Sequence, residues 1–112
     1  MEVAESQLDA VTGLSGSGPA YVYMFIESMI DAGLSNGLPR SIAHQLAVET
    51  VIGSASMVEA TELHPAELRD QVASPGGTTI QGIEQLENLG FRGCVLAAVK
   101  AATLHSKKLS EG

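Results

Sequence analysis

The sequence predicts an all-α fold, and three observations carry the prediction. Apolar residues recur at three- and four-residue spacing through several long segments, the period of one helical face. No segment alternates apolar and polar residues as a half-buried strand would. Glycine, proline and small polar residues punctuate the chain where those periodic segments stop and start.

Taken in order, the elements follow from these signals. A short first helix is expected near Ser6 to Val11. "GLSGSG" then leads to Pro19, a suitable first-turn residue behind a Ser17-Gly18 cap region. From Ala20 to about Leu34, Val22, Phe25, Ile26, Met29, Ile30 and Gly33 fall on one face, and Gly33, Asn36 and Gly37 supply stop signals. Pro39 opens a long helix, roughly Arg40 to Ala60. Its Ile42, Leu46, Val51, Met57 and Val58, with Ala43, Ala47 and Gly53 among them, cover much of its circumference. A helix that apolar belongs at the centre of a fold or in a subunit interface. In "ELHPAELRDQV" His64 stands as a cap before Pro65, with Glu67 placed to reach back to it. A further helix runs from Thr78 to Leu89 and ends at Gly90. After "GFRG" the last one, Cys94 to about Leu109, is nearly continuous in apolar character.

Residues 1–112 thus make one domain of about five or six helices. Three of them are apolar over most of their surface, more than so few helices can cover. A symmetric dimer is the expected solution.

Composition narrows the partners. A net charge of −7 with six basic residues leaves no phosphate-tracking stripe, so nucleic acid is not expected. No uncharged apolar run reaches transmembrane length, so neither is a membrane. Met1 is followed by no signal-peptide pattern. Cys94 is alone and is expected to be a buried thiol; the lack of a disulfide fits a reducing compartment or mere absence of need, and the cytoplasm is the expected location, with an organelle as the alternative. His44, His64 and His105 lie far apart without metal-ligand spacing, so no metal is expected. Glu62, Glu67 and Asp70 read as solvated surface carboxylates. No Ser-His-Asp or Cys-His set follows from spacing, and no catalytic residue is assigned.

Two glycine segments remain. In "SPGGTT", Ser74 to Thr79, a helix start offers backbone N–H groups without intrahelical partners and a partial positive charge. The glycines let a ligand approach the backbone, and Thr78 and Thr79 add hydroxyl donors. That combination suits a small anion, a carboxylate or a phosphate. A plain Gly-Gly turn with Thr78 as cap would read the same. In "TGLSGSGPAY", Thr12 to Tyr21, the glycines fall as G-x-x-G-x-G, with no strand before them. The dinucleotide fingerprint G-x-G-x-x-G is therefore not met, and a flexible interhelix turn capped by Ser17 fits the local sequence. The residues alone also allow a free-standing helical oligomerisation module with no enzymatic duty.

Together, "DAVTGLSGSGPAY" at Asp9–Tyr21, "GLPR" at Gly37–Arg40, "HPAELRDQVASPGGTTIQGIEQLE" at His64–Glu87 and "GFR" at Gly90–Arg92 resemble the pyrroline-5-carboxylate reductases, in order and over essentially the whole chain. The resemblance implies reduction of 1-pyrroline-5-carboxylate to L-proline with NADPH or NADH. It also implies a dinucleotide-binding domain followed by an interlocking helical domain of the 6-phosphogluconate-dehydrogenase C-terminal type. This chain resembles the second domain only, so the fragment alone is expected to be inactive. The family's pattern further implies a homodimer, with rings of dimers beyond it. The substrate carboxylate would be held by the Ser74–Thr79 loop, through Ser74, Gly76, Gly77, Thr78 and Thr79. The Val72 carbonyl would lie close to the ring nitrogen, and Pro19 would pack on the ring. Thr12 and Ser17 would face the nicotinamide carboxamide or nearby waters, with Glu62 as a neighbour. A related helical domain acting on another substrate would need different anion-loop residues.

Overall fold

Each helix boundary falls where the backbone demands one. The computed structural model describes residues 1–73 and 77–111, and among them there is no strand. A 3₁₀ turn, Glu5–Gln7, opens the chain. Helix α1 follows at Leu8–Val11, then a π-helical turn at Thr12–Gly16 and α2 at Gly18–Ser35. After these come α3 at Arg40–Thr61, α4 at Pro65–Ala73, α5 at Gly77–Asn88 and α6 at Phe91–Glu111. Helices α2 to α6 match the expected ones within a few residues.

The α2 stop signal works through Gly37. The Leu38 N–H donates to the Gly33 carbonyl at 3.0 Å and the Gly37 N–H to the Leu34 carbonyl at 3.0 Å. This paired closure requires a left-handed residue after the helix, and Gly37 supplies it at φ +100°. Pro39, extended at φ −61° and ψ 149°, then caps α3. His64 caps α4 as expected, its ring Nδ1 accepting from the Ala66 N–H at 3.0 Å. Glu67 contributes its amide to the His64 carbonyl at 2.9 Å.

Two compact units emerge, Met1–Tyr23 with Leu86–Gly112 and Met24–Gln85. In the second, Ile30, Ala43 and Ala47 form a small core on which Ile26, Met29 and Leu34 pack. Gly33 permits it, since a Cβ there would stand 2.9 Å from that of Ala43. Small residues thus bring α2 and α3 close. In the first unit α6 holds the chain's start at three levels. Ser106 Oγ donates to Asp9 Oδ1 at 2.8 Å, Gly13 is buried against Val99 and Thr103, and the Tyr21 hydroxyl donates to the Ala98 carbonyl at 3.4 Å.

Two expectations are corrected. Cys94 is exposed in the single chain, not buried. It is also not the head of its helix: α6 starts at Phe91, and the Cys94 N–H already donates to the Gly90 carbonyl at 3.0 Å. Nor is Thr12–Gly16 a flexible turn. The Ser17 N–H reaches back five residues to the Thr12 carbonyl at 2.8 Å, which makes a wide helical turn continuous with α1.

Burial is sparse. Ile30, Ala43, Ala47 and Ala73 are the buried apolar residues among those described, while Leu46 and Ile52 on α3 and Leu96 and Leu104 on α6 are about half or more exposed. No described helix is long and apolar enough to cross a membrane.

Candidate functional site

The predicted site residues fall in two sets, one in each unit. In the unit of Met24–Gln85, α4 ends at Ala73 and α5 begins at Gly77. The last carbonyls of a helix lack intrahelical donors, and its C-terminal end carries partial negative charge. The Val72 carbonyl, one residue from the end of α4, is one of these. The first amides of a helix have the opposite character, and those of α5 are Gly77, Thr78 and Thr79. Gly77 and Thr78 are exposed and Thr79 is half-buried. Ser74 and Gly76 lie outside the described residues. A helix end that attracts cations and a helix start that attracts anions are thus only three residues apart in sequence.

The Val72 side chain is 69% exposed. It lines an apolar groove of about 390 Å³ between α3 and α4, together with Met57, Val58, Pro65 and Leu68. Glu62 stands at the end of α3 in the left-handed region, φ 58° and ψ 11°. A glycine would hold this conformation without the steric cost a Cβ carries there, roughly 1 kcal/mol. Glu62→Gly is expected to raise stability by about 0.5–1 kcal/mol, read from the urea midpoint. If Glu62 serves the site, the same variant loses turnover while gaining stability; a gain in both removes it from the site.

In the other unit, Thr12, Ser17 and Pro19 lie along the π turn and the start of α2. Thr12 is exposed, and its hydroxyl donates to the Leu8 carbonyl at 3.2 Å. With its proton committed, Oγ1 is left with lone pairs to accept from a ligand N–H. Ser17 is half-buried, and its carbonyl accepts from the Ala20 N–H at 3.1 Å. Pro19 is exposed in the first turn of α2, where its missing N–H leaves nothing unsatisfied. The G-x-x-G-x-G spacing hid one distinction. Of its glycines, Gly13 alone is buried, and a Cβ would collide with α6 only there. Distant contacts such as Gly13 with Thr103 carry no local sequence signal. Among the described residues no group of His, Cys, Asp or Glu could hold a metal.

Fold and site together define an all-helical domain with two glycine-bearing helix starts and much uncovered apolar surface. A family model, pyrroline-5-carboxylate reductase dimerisation, matches residues 5–109. The chain belongs to that family. It is 52% identical over 111 residues to a pyrroline-5-carboxylate reductase of Synechocystis, a match covering 99% of this chain and 42% of that protein. To the Escherichia coli K12 reductase it is 49% identical over 109 residues, covering 97% of this chain and 40% of the other. A crystal structure of Plasmodium falciparum pyrroline carboxylate reductase with NADP bound superposes with a TM-score of 0.92. That match has 44% identity and covers 96% of this chain and 44% of that one. The chain therefore spans well under half the length of these relatives.

Proposed function

We propose that this chain is the helical substrate-binding and dimerisation domain of an enzyme that reduces 1-pyrroline-5-carboxylate to L-proline. One observation carries the reading: the end of α4 and the start of α5 flank a gap of three residues. The substrate is a five-membered cyclic imine bearing a carboxylate. Amides at Gly77, Thr78 and Thr79 and the Thr79 hydroxyl hold the carboxylate. The Val72 carbonyl accepts from the protonated ring nitrogen, where the negative end of α4 favours the iminium form whose carbon is the better electrophile. A dihydronicotinamide nucleotide, NADPH or NADH, supplies the hydride when bound. Thr12 fits that group through its free acceptor, which suits a carboxamide N–H, with Ser17 beside it. Orientation is this domain's main contribution to rate, since the clamped carboxylate decides which ring face meets the hydride.

The assembly follows from the uncovered surface. The chain exposes 8665 Å², whereas a folded monomer of its mass exposes about 5,800 Å². A homodimer that seats a second copy on α3, α6 and the α3–α4 groove removes much of the excess, and rings of such dimers are compatible with it. A single exposed thiol suits a reducing compartment, and we place the protein in the cytoplasm.

Thr79→Ala in the full-length protein tests the site. A hydrogen bond to a charged group contributes about 1.5–3 kcal/mol, so KM for the imine is expected to rise roughly 10- to 100-fold, with kcat changed far less. An unchanged KM removes Thr79 from the carboxylate site. A wild-type protein that cannot reduce the imine rules out the reading as a whole.

A further inference from the structure

We infer that Gly13 and Thr103 are positioning residues for hydride transfer, seating the Thr12–Gly16 turn on α6 so that Thr12 and Ser17 face the nicotinamide. The inference rests on the roles proposed above for those two residues. A π turn holds one residue more per turn than an α-helix can keep aligned, so its shape depends on what it leans against. Here the support is specific. The buried face of the turn is Gly13, and a Cβ built on it would lie 2.8 Å from the Val99 carbonyl oxygen and 2.9 Å from the Thr103 amide nitrogen. The Thr103 hydroxyl oxygen would be nearer still. That hydroxyl is itself fixed, donating to the Val99 carbonyl at 2.7 Å. Two of the three neighbours are α6 backbone and cannot rotate aside.

The neighbouring contacts make the seat stiff. Asp9 is held by Ser106 before the turn and Tyr21 by the Ala98 carbonyl after it. Ala98, Val99, Thr103 and Ser106 recur at helical spacing, so one stripe of α6 carries the whole segment. With both ends tied, a methyl at residue 13 cannot be absorbed by sliding the chain. It must lift the middle of the turn by several tenths of an ångström, because ordinary contact begins at 3.4 Å. Thr12 and Ser17 bracket that middle and move with it. Hydride transfer is sensitive to displacements of this size, a 1 Å error costing as much as about 100-fold.

Thr103 enters through its oxygen. Thr103→Ser keeps that atom and its bond to Val99. Thr103→Val replaces it with a larger methyl pressed on Gly13 and leaves helix packing otherwise alike.

The experiment uses the full-length reductase and reads steady-state kinetics per folded molecule, with folded fraction from circular dichroism. Gly13→Ala and Thr103→Val are each expected to lower kcat about tenfold or more. The KM for the pyridine nucleotide should rise, and the KM for the imine should stay within twofold, since its carboxylate is held elsewhere. Thr103→Ser is expected to restore near wild-type kinetics. Should Gly13→Ala fail to fold, the Thr103 pair decides alone. Equal kinetics for Thr103→Val and Thr103→Ser overturn the inference, as does activity lost only in proportion to folded protein, or an imine KM that rises with the rest. A wild-type enzyme inactive on the imine removes the inference together with the reading beneath it, whereas an active wild type with unaffected variants removes the inference alone.

Discussion

Gly77→Val in the full-length reductase is expected to fold and dimerise normally while its KM for the cyclic imine rises 100-fold or more. The structure separates those two outcomes. Gly77 is the first residue of α5, its φ is not positive, and among the described residues a Cβ there meets nothing within 4 Å. No conformational need of the fold therefore asks for glycine at this position. Valine should even favour the helix slightly, since glycine is the poorer helix former by a few tenths of a kcal/mol. A branched side chain on the first amide instead occupies the space a carboxylate needs to reach the N–H groups. Losing two charge-assisted bonds of about 1.5–3 kcal/mol each corresponds to at least a hundredfold in affinity. The melting temperature and the KM for nucleotide should stay near wild type. A variant that unfolds would show that Gly77 serves the backbone, and one that keeps its KM would move the carboxylate site elsewhere.

The contrast with Gly13 shows what a sequence can and cannot say about glycine. Both residues stand in glycine-rich segments at helix starts, and the letters treat them alike. Among the described residues a Cβ at Gly77 meets nothing within 4 Å, whereas one at Gly13 meets another helix's backbone, so packing asks for glycine at Gly13 and not at Gly77. The difference depends on α6, ninety residues further along the chain in sequence, and no local pattern encodes it. Helix existence was legible because capping is local: Gly37, Pro39, His64 and Gly90 act on backbone within a few residues of themselves. The π turn was not legible, because the fifth-residue bond from Ser17 to Thr12 competes with ordinary helical bonding by margins that tertiary contact decides. Cys94 illustrates the same limit from another side. An apolar neighbourhood in sequence suggested burial, but an apolar helix is buried only where something covers it. The proposed site rests chiefly on the resemblance, since an anion-binding helix start and a simple turn share the same residues.

What covers the apolar helices is the subject of the second large effect. Leu46→Glu combined with Ile52→Glu is expected to convert the full-length dimer to monomer and to abolish turnover. The two side chains are 49% and 60% exposed, and six residues of separation place them on different sides of α3. An interface that wraps this helix must therefore bury at least one of them. Each leucine or isoleucine buried contributes roughly 1.5–3 kcal/mol, and an unpaired carboxylate left in that contact costs several kcal/mol more. Together these exceed the 4 kcal/mol or so that a thousandfold change in dissociation constant represents. The chain's small core makes the result more severe. With Ile30, Ala43, Ala47 and Ala73 as its buried apolar residues among those described, a protomer has little stability of its own to fall back on. Light scattering during size-exclusion chromatography at micromolar concentration should report the monomer mass, and thermal unfolding should become independent of protein concentration. A double variant that remains a dimer with wild-type turnover would show that α3 faces solvent in the working enzyme, and the second copy would then have to be seated on α6 alone.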